Sequence, residues 1–247
     1  MKGLSAATGA LICLAVLLAA VGAACGAVRS AAVEDTLYGA LSRLAVMDEL
    51  GLASEAEASA VIGLDAAAQD ALAAGIAAGM ASASPDFALE PLNERERAHL
   101  CDVHALMAGA QRTAQLCVGI AAGLAVAAAW TGARLVRRRR AALLGGACGV
   151  LLLAFLLGAA ALAVYGGGFA AAFIRLHELL FTNDLWLMNP ETDVLIRMMP
   201  QRLFERAAAS VALRAGVSLI VICALLAAVY AIVGGMIRRN LSEREQA

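Results

Sequence analysis

Four long runs of Ala, Leu, Val, Ile and Gly, at about residues 7–28, 116–136, 143–165 and 217–237, constrain this chain more than any other feature. Each reaches the roughly 20 residues that a helix needs to cross a hydrocarbon core. In lipid every backbone N–H and C=O has to find its partner inside the protein, which leaves helices as the reading of such runs. Composition agrees: 62% hydrophobic and 16% charged residues give too little polar surface for a water-soluble globule. The expected fold is an all-α integral membrane protein, one membrane domain over residues 1–247. It has four transmembrane helices and two extracytoplasmic loops, about 29–113 and 166–210, containing amphipathic or interfacial helices.

Lys2 ahead of the first run and small residues behind it are also features of a secretory signal. The length of the run, with no small-x-small end before a polar start, reads as an uncleaved helix. Ala23-Ala24-Cys25-Gly26 has the look of a lipidation box, but Gly22 stands where an aliphatic residue belongs.

Basic residues set the orientation. Arg134 and Arg137 to Arg140 crowd the link between the second and third runs, Arg238, Arg239 and Arg244 follow the fourth, and Lys2 leads the first. All fall on one side of a four-span topology, which the positive-inside rule makes cytoplasmic. Both termini are then inside, and all but two of the 20 acidic residues, Glu243 and Glu245, lie in the outward loops with all three His. The basic cluster is explained by topology, with contact to anionic lipid as an addition. No nucleic-acid partner is implied.

Of the six Cys, only Cys101 falls in a loop, so no disulfide framework is available. Cys101 and His99 would lie roughly 200° apart on a helix, too far round to form a nucleophile and base. In the first loop, residues 32–51 read as one amphipathic helix with Leu37, Leu41, Leu44, Val46 and Leu50 on its apolar side and Gly51 as its stop. Residues 64–80 read either as an interfacial helix or as a low-complexity connection. Residues 92–115 are clearer: Asn93 caps a helix, Glu96 closes a capping box, and the helix runs on into the second span.

On that helix Glu96, His99 and Asp102 recur every three residues and share a face, so that a carboxylate can orient and polarise an imidazole. The bland reading is an exposed helix that happens to carry a His. His104, about 140° round from His99, is read as structural or surface. The second loop alters the balance. Phe173, His177, Phe181 and Asp184 fall on one helical side, Trp186 stands nearby at lipid-headgroup level, and 189–193 has the Pro and Asx chemistry of a turn or new helix start. Residues 194–204 then present an apolar face back to the membrane. A loop serving only to connect two spans needs none of this. Two His in two loops that meet over a small bundle favour acid/base chemistry.

Competing chemistries fare worse. His177-Glu178 begins like a zinc-protease helix, but Phe181 occupies the second ligand position, which leaves for a metal only a site built across both loops from His99, His177 and carboxylates, and acid/base chemistry without a metal is the reading preferred. No G-x-S-x-G elbow for a serine nucleophile is present. Gly145 and Gly149 have the spacing of a close helix contact, within one subunit or between two.

The segment Glu94-Arg95-Glu96-Arg97-Ala98-His99-Leu100-Cys101-Asp102-Val103 is similar to the outer-loop segment of bacterial four-span membrane proteins that include the lipoprotein intramolecular transacylases. His177, Phe181, Asn183, Asp184, Trp186, Pro190, Asp193, Leu195, Ile196, Pro200, Leu203 and Phe204 resemble the same family's second segment. The Ala-rich stretch 53–83 and His104 depart from its pattern and bear on substrate range.

The resemblance implies an enzyme of the bacterial cytoplasmic membrane that moves the sn-2 acyl chain of a diacylglyceryl lipoprotein to the α-amino group of its own N-terminal Cys, giving a lyso-form lipoprotein. His99 and His177 would be the acid/base pair, facing outward and supported by Asp102, Glu96, Asp184, Trp186, Asn183 and Asp193. The partners are the lipoprotein and membrane lipids, and no cofactor is needed. The alternatives are a non-catalytic membrane protein that binds lipoproteins or lipids, and a His-dependent hydrolase of lipid or peptide.

Overall fold

The computed structural model describes residues 2–133 and 138–246, all in helices and connections with no strand among them. The helices are α1 (Lys2–Ala32), α2 (Asp35–Tyr38), α3 (Ala40–Leu50), α4 (Glu55–Ile62), α5 (Ala66–Ala81), α6 (Glu94–Ala133), α7 (Arg138–Leu180), α8 (Val194–Met198) and α9 (Gln201–Gln246). Arg134 and Arg137 of the predicted basic link, with the end of the predicted second span, lie outside the described residues. Three described helices are long and apolar enough to cross a membrane: Ala6–Ala32, Glu94–Gly132 and Gln201–Arg244. The run at 143–165 lies wholly within α7. A further stretch, Glu55–Ile62 with Ala66–Ala81, meets the same measure only as a pair bent by 64°.

The chain falls into two compact units. Met1–Gly26, Arg112–Leu162 and Arg214–Ala247 make up the first, which holds the apolar runs. Ala15, Ala19 and Ala23 of α1 are buried at four-residue spacing, and so are Ala121 and Ala125 of α6. A Cβ on Gly22 would meet Val118 at 3.0 Å and the Ala114 carbonyl at 3.2 Å, so α1 and α6 approach closely through small side chains. In lipid this packing replaces the hydrophobic drive that water would supply. A Cβ on Gly145 would run into the Gly9 backbone, and one on Gly149 would meet Val16 at 3.0 Å. The paired glycines of α7 therefore serve a contact with α1 inside the subunit. Large apolar side chains of α9, including Ile220 and Leu225, 71% and 62% exposed, face outward, as lipid as solvent requires.

Ala27–Gln111 and Ala163–Leu213 form the second unit. Its core gathers Tyr38, Val46, Ile62, Leu72, Ile76, Met80, Phe87, Leu92, Leu100, Leu195 and Met198. The predicted helix over 32–51 is broken into α2 and α3, although Gly51 ends it as expected, in the left-handed region at φ 65°. Its buried face differs in part from the predicted one, for Leu37 and Val46 do join the core. Ser42, Arg43, Ala45 and Val46 point inward, whereas Leu41, Leu44 and Leu50 are exposed.

The physical reason is pairing: Arg43 meets Asp70 at 2.6 Å and Glu55 at 3.4 Å, and the Ser42 hydroxyl donates to the Met198 carbonyl. Buried polar groups with partners are tolerated, and these have them.

Of the two readings of residues 64–80, the helix holds and the loose connection does not. Residues 66–81 form α5, whose Leu72, Ala73, Ile76, Ala77 and Met80 fill the core. Residues 194–204 differ from expectation, because Val194, Leu195, Met198 and Leu203 turn into the protein and not toward lipid. The expected break near 166–168 is present at Gly168, whose φ of 75° suits only Gly, but helix resumes beyond it as far as Leu180.

Candidate active site

All the residues of the site belong to the second unit. The start of α6 is built as its sequence requires: the Asn93 side chain accepts from Glu96 N–H at 3.0 Å, and Glu96 Oε2 accepts from Asn93 N–H at 2.8 Å. This reciprocal cap satisfies two of the helix's orphan donors and fixes its first turn. His99 sits one turn further on and is only 8% exposed. The continuous apolar run of α6 begins only at Leu116, so His99 lies in the charged first turns of the helix.

His177, near the end of α7, stands among aromatic rings, with centroids 4.0 Å from Phe173, 5.5 Å from Phe181 and 5.2 Å from Trp186. Phe204, at the start of α9, backs Phe173 at 4.6 Å. The two imidazoles are brought together, stacked with centroids 6.5 Å apart, and Phe181 touches both, 5.2 Å from His99.

Their environments differ. His177 Nδ1 lies 2.8 Å from the Phe173 carbonyl one turn back. A carbonyl only accepts, so Nδ1 carries a hydrogen, and in the neutral ring the lone pair is on Nε2. His99 Nδ1 is buried without a hydrogen-bond partner among the described residues. Burial, reinforced by the neighbouring His177 and opposed by Asp102, pushes His99 down to about 4. It is therefore neutral at physiological pH.

The carboxylates named as supporting make their hydrogen bonds away from the two imidazoles. Asp102 accepts from Asn183 Nδ2 at 2.9 Å, so it reaches His99 through its charge. Glu96 is fully buried and turns its second oxygen to Leu195 N–H at 2.6 Å, which makes it a joint between segments and not a carboxylate partner of His99. Asp193 accepts from Asn93 Nδ2, Asn189 N–H and the Thr192 hydroxyl, at 2.8, 2.8 and 2.9 Å. Burial pushes its carboxyl up, but those hydrogen bonds outweigh it and leave the group below its ordinary value.

Asp184 lies beyond the end of α7 and off the predicted helical face; its carbonyl accepts from the Arg95 guanidinium. Trp186 contacts His177 as expected, and His104 stands apart with Nε2 2.9 Å from the Ser82 carbonyl.

The sequence reading missed Arg95 and the cross-segment role of Asn93. It also missed the Phe173 carbonyl, although its four-residue spacing from His177 was a usable signal. Among the described residues no three His, Cys, Asp or Glu come close enough together to hold a metal ion.

A sequence profile described as the lipoprotein intramolecular transacylase family matches residues 80–204, just over half of the chain and inclusive of both histidine segments. The chain belongs to that family. Its activity is the intramolecular transfer of an acyl group on a lipoprotein, which makes it an acyltransferase of multi-pass membrane type.

The fold is similar to that of the membrane-integral lipoprotein intramolecular transacylase of Bacillus cereus: TM-score 0.55 at 20% identity, over 92% of this chain and 97% of that one. Structures of that enzyme carrying His-to-Arg and His-to-Ala mutations give TM-scores of 0.53 and 0.51, each at 18% identity. They cover 92% and 95% of this chain, and 93% and 95% of theirs. Among curated proteins none matches in sequence. In this transacylase the matched region ends at Phe204, the ring that backs Phe173 behind His177.

Proposed function

We propose that His99 and His177 are the catalytic pair, and that they move the sn-2 acyl chain of a diacylglyceryl lipoprotein onto the α-amino group of its N-terminal Cys. The observation that carries this reading is the stacking of the two rings at 6.5 Å, drawn from segments far apart in sequence. The amine, with a pKa of about 8, first loses its ammonium proton to solvent, and the neutral nitrogen must give up one more hydrogen as it attacks, which needs a base. His177, with Nδ1 committed to the Phe173 carbonyl, offers Nε2 to take the proton. The amine nitrogen attacks the ester carbonyl, a C–N bond forms, and the C–O bond to the glyceryl oxygen breaks. The proton held on His177 passes to that oxygen. His99, held neutral by burial, serves as a hydrogen-bond donor to the developing negative charge. The products are an amide and a free hydroxyl, with no water consumed and no outside acyl donor.

Four spans with both termini cytoplasmic and the histidine unit outward complete the proposal. Support comes from the basic residues beside Lys2, at Arg138 to Arg140 and at Arg238 and Arg239. Mass spectrometry of lipoprotein N-termini from cells with and without the enzyme should show one acyl chain moved from glycerol to nitrogen at constant mass. Loss of a chain means a hydrolase, and an unchanged pattern means a binding protein. Reporter fusions should give a cytoplasmic signal after Arg239 and an outside signal near Asn189. An inside signal at Asn189 would refute the outward site.

A further inference from the structure

His99 and His177 belong to chain segments that have no covalent reason to hold one distance. Near them, the starts of two helices share a single polar network. Glu96 accepts from Asn93 N–H of α6 with one oxygen, at 2.8 Å, and from Leu195 N–H of α8 with the other, at 2.6 Å. The Asn93 amide spans the same gap, giving 2.8 Å to Asp193 Oδ1, while Asp193 Oδ2 takes Asn189 N–H at 2.8 Å. Glu96 is wholly buried and Asp193 only 4% exposed, so losing one partner strands the others away from water.

His99 follows Glu96 by one helical turn on the same face. On the other side, Asn189 opens the 189–193 turn, its carbonyl accepting from Thr192 and Asp193 N–H, three residues after Trp186, the ring against His177. We propose that Asn93, Glu96 and Asp193 form a latch that sets the register of the two histidine-bearing segments, and are thus positioning residues for the transfer. The latch rests on the histidine pair proposed above. It deepens that reading by assigning the carboxylates to geometry and not to proton transfer.

Asn and Asp are equally good helix caps, so Asn93→Asp keeps the first turn of α6. It replaces the amide donor with a second carboxylate facing Asp193. Asp193→Asn keeps an acceptor for Asn189 N–H but sets amide against amide. The double exchange, Asn93→Asp with Asp193→Asn, restores the bond with donor and acceptor reversed.

The test is kcat and KM for each purified variant on a synthetic diacylglyceryl-Cys lipopeptide in bilayers, with the thermal unfolding midpoint measured alongside. Each single variant should lose about tenfold or more in kcat, in line with the sensitivity of catalysis to small misplacements. KM should stay near that of the parent, the unfolding midpoint should fall in each single variant because a buried partner is stranded, and the double variant should recover most of the lost rate and of the midpoint. Parental kcat in both single variants, or a double variant no better than either single, would overturn the latch. His99→Ala and His177→Ala are run in parallel. If those stay active, the histidine pair is wrong and the latch falls with it. If they are inactive while the latch variants match the parent, only the latch is refuted.

Discussion

Replacement of His177 by Ala is expected to cut acyl transfer by about 10²- to 10⁴-fold, the range over which a positioned general base contributes. His177 is half-buried among three aromatic rings, so Ala also removes packing, with each ring pair worth about 1 kcal/mol. His177→Phe separates the two effects, because it restores an aromatic ring but has no nitrogen. If the loss is chemical, the Ala and Phe variants should be equally inactive, and the Phe variant should unfold at the parental temperature. Replacement of His99 by Ala should also abolish transfer. His104→Ala should retain it, since that ring contacts the Ser82 carbonyl away from the pair. Acyl transfer by His177→Phe at more than a tenth of the parental rate would remove His177 from the base role.

Acid should destabilise the protein in a window set by His99. The folded state holds this ring neutral down to about pH 4, whereas in the unfolded chain it protonates near 6.5. Between those values the unfolded state binds a proton that the folded state refuses, so stability falls as pH is lowered from about 6.5 toward 4. The loss is on the order of 2 kcal/mol after allowance for partial solvent screening. Asp193 acts elsewhere: its lowered carboxyl value contributes stability that is present above 3.8 and is lost only as pH falls below that. Thermal unfolding in detergent should therefore show a slope between pH 6.5 and 4 that His99→Gln removes. An unchanged slope in that variant would mean that His99 is solvated in the folded protein.

The membrane helices, the capping box at Asn93 and Glu96 and the two histidine segments were legible in the chain before any coordinates. Each is a local property. Run length decides whether a helix can span lipid, and a cap closes over three residues. The face of α3 was not legible. Leucine spacing pointed to Leu41 and Leu44, but Arg43 and Ser42 are buried because Asp70, Glu55 and the Met198 carbonyl come from other elements. Nor was the burial of α5, where an Ala-rich composition gives little periodic contrast, yet a core lined by Phe87 and Leu89 needs small side chains at Gly75 and Gly79.

The site divides the same way. Read along the chain, His99 and His177 already stand in like company in two polar segments. Packing assigns Glu96 to Leu195, 99 positions away, gives Asp102 to Asn183, and makes His99 the buried ring. The physical reason is that a hydrogen-bonding group takes whichever partner the packed chain brings within about 3 Å, and burial sets which charge state survives there. Neither is encoded by neighbours in sequence.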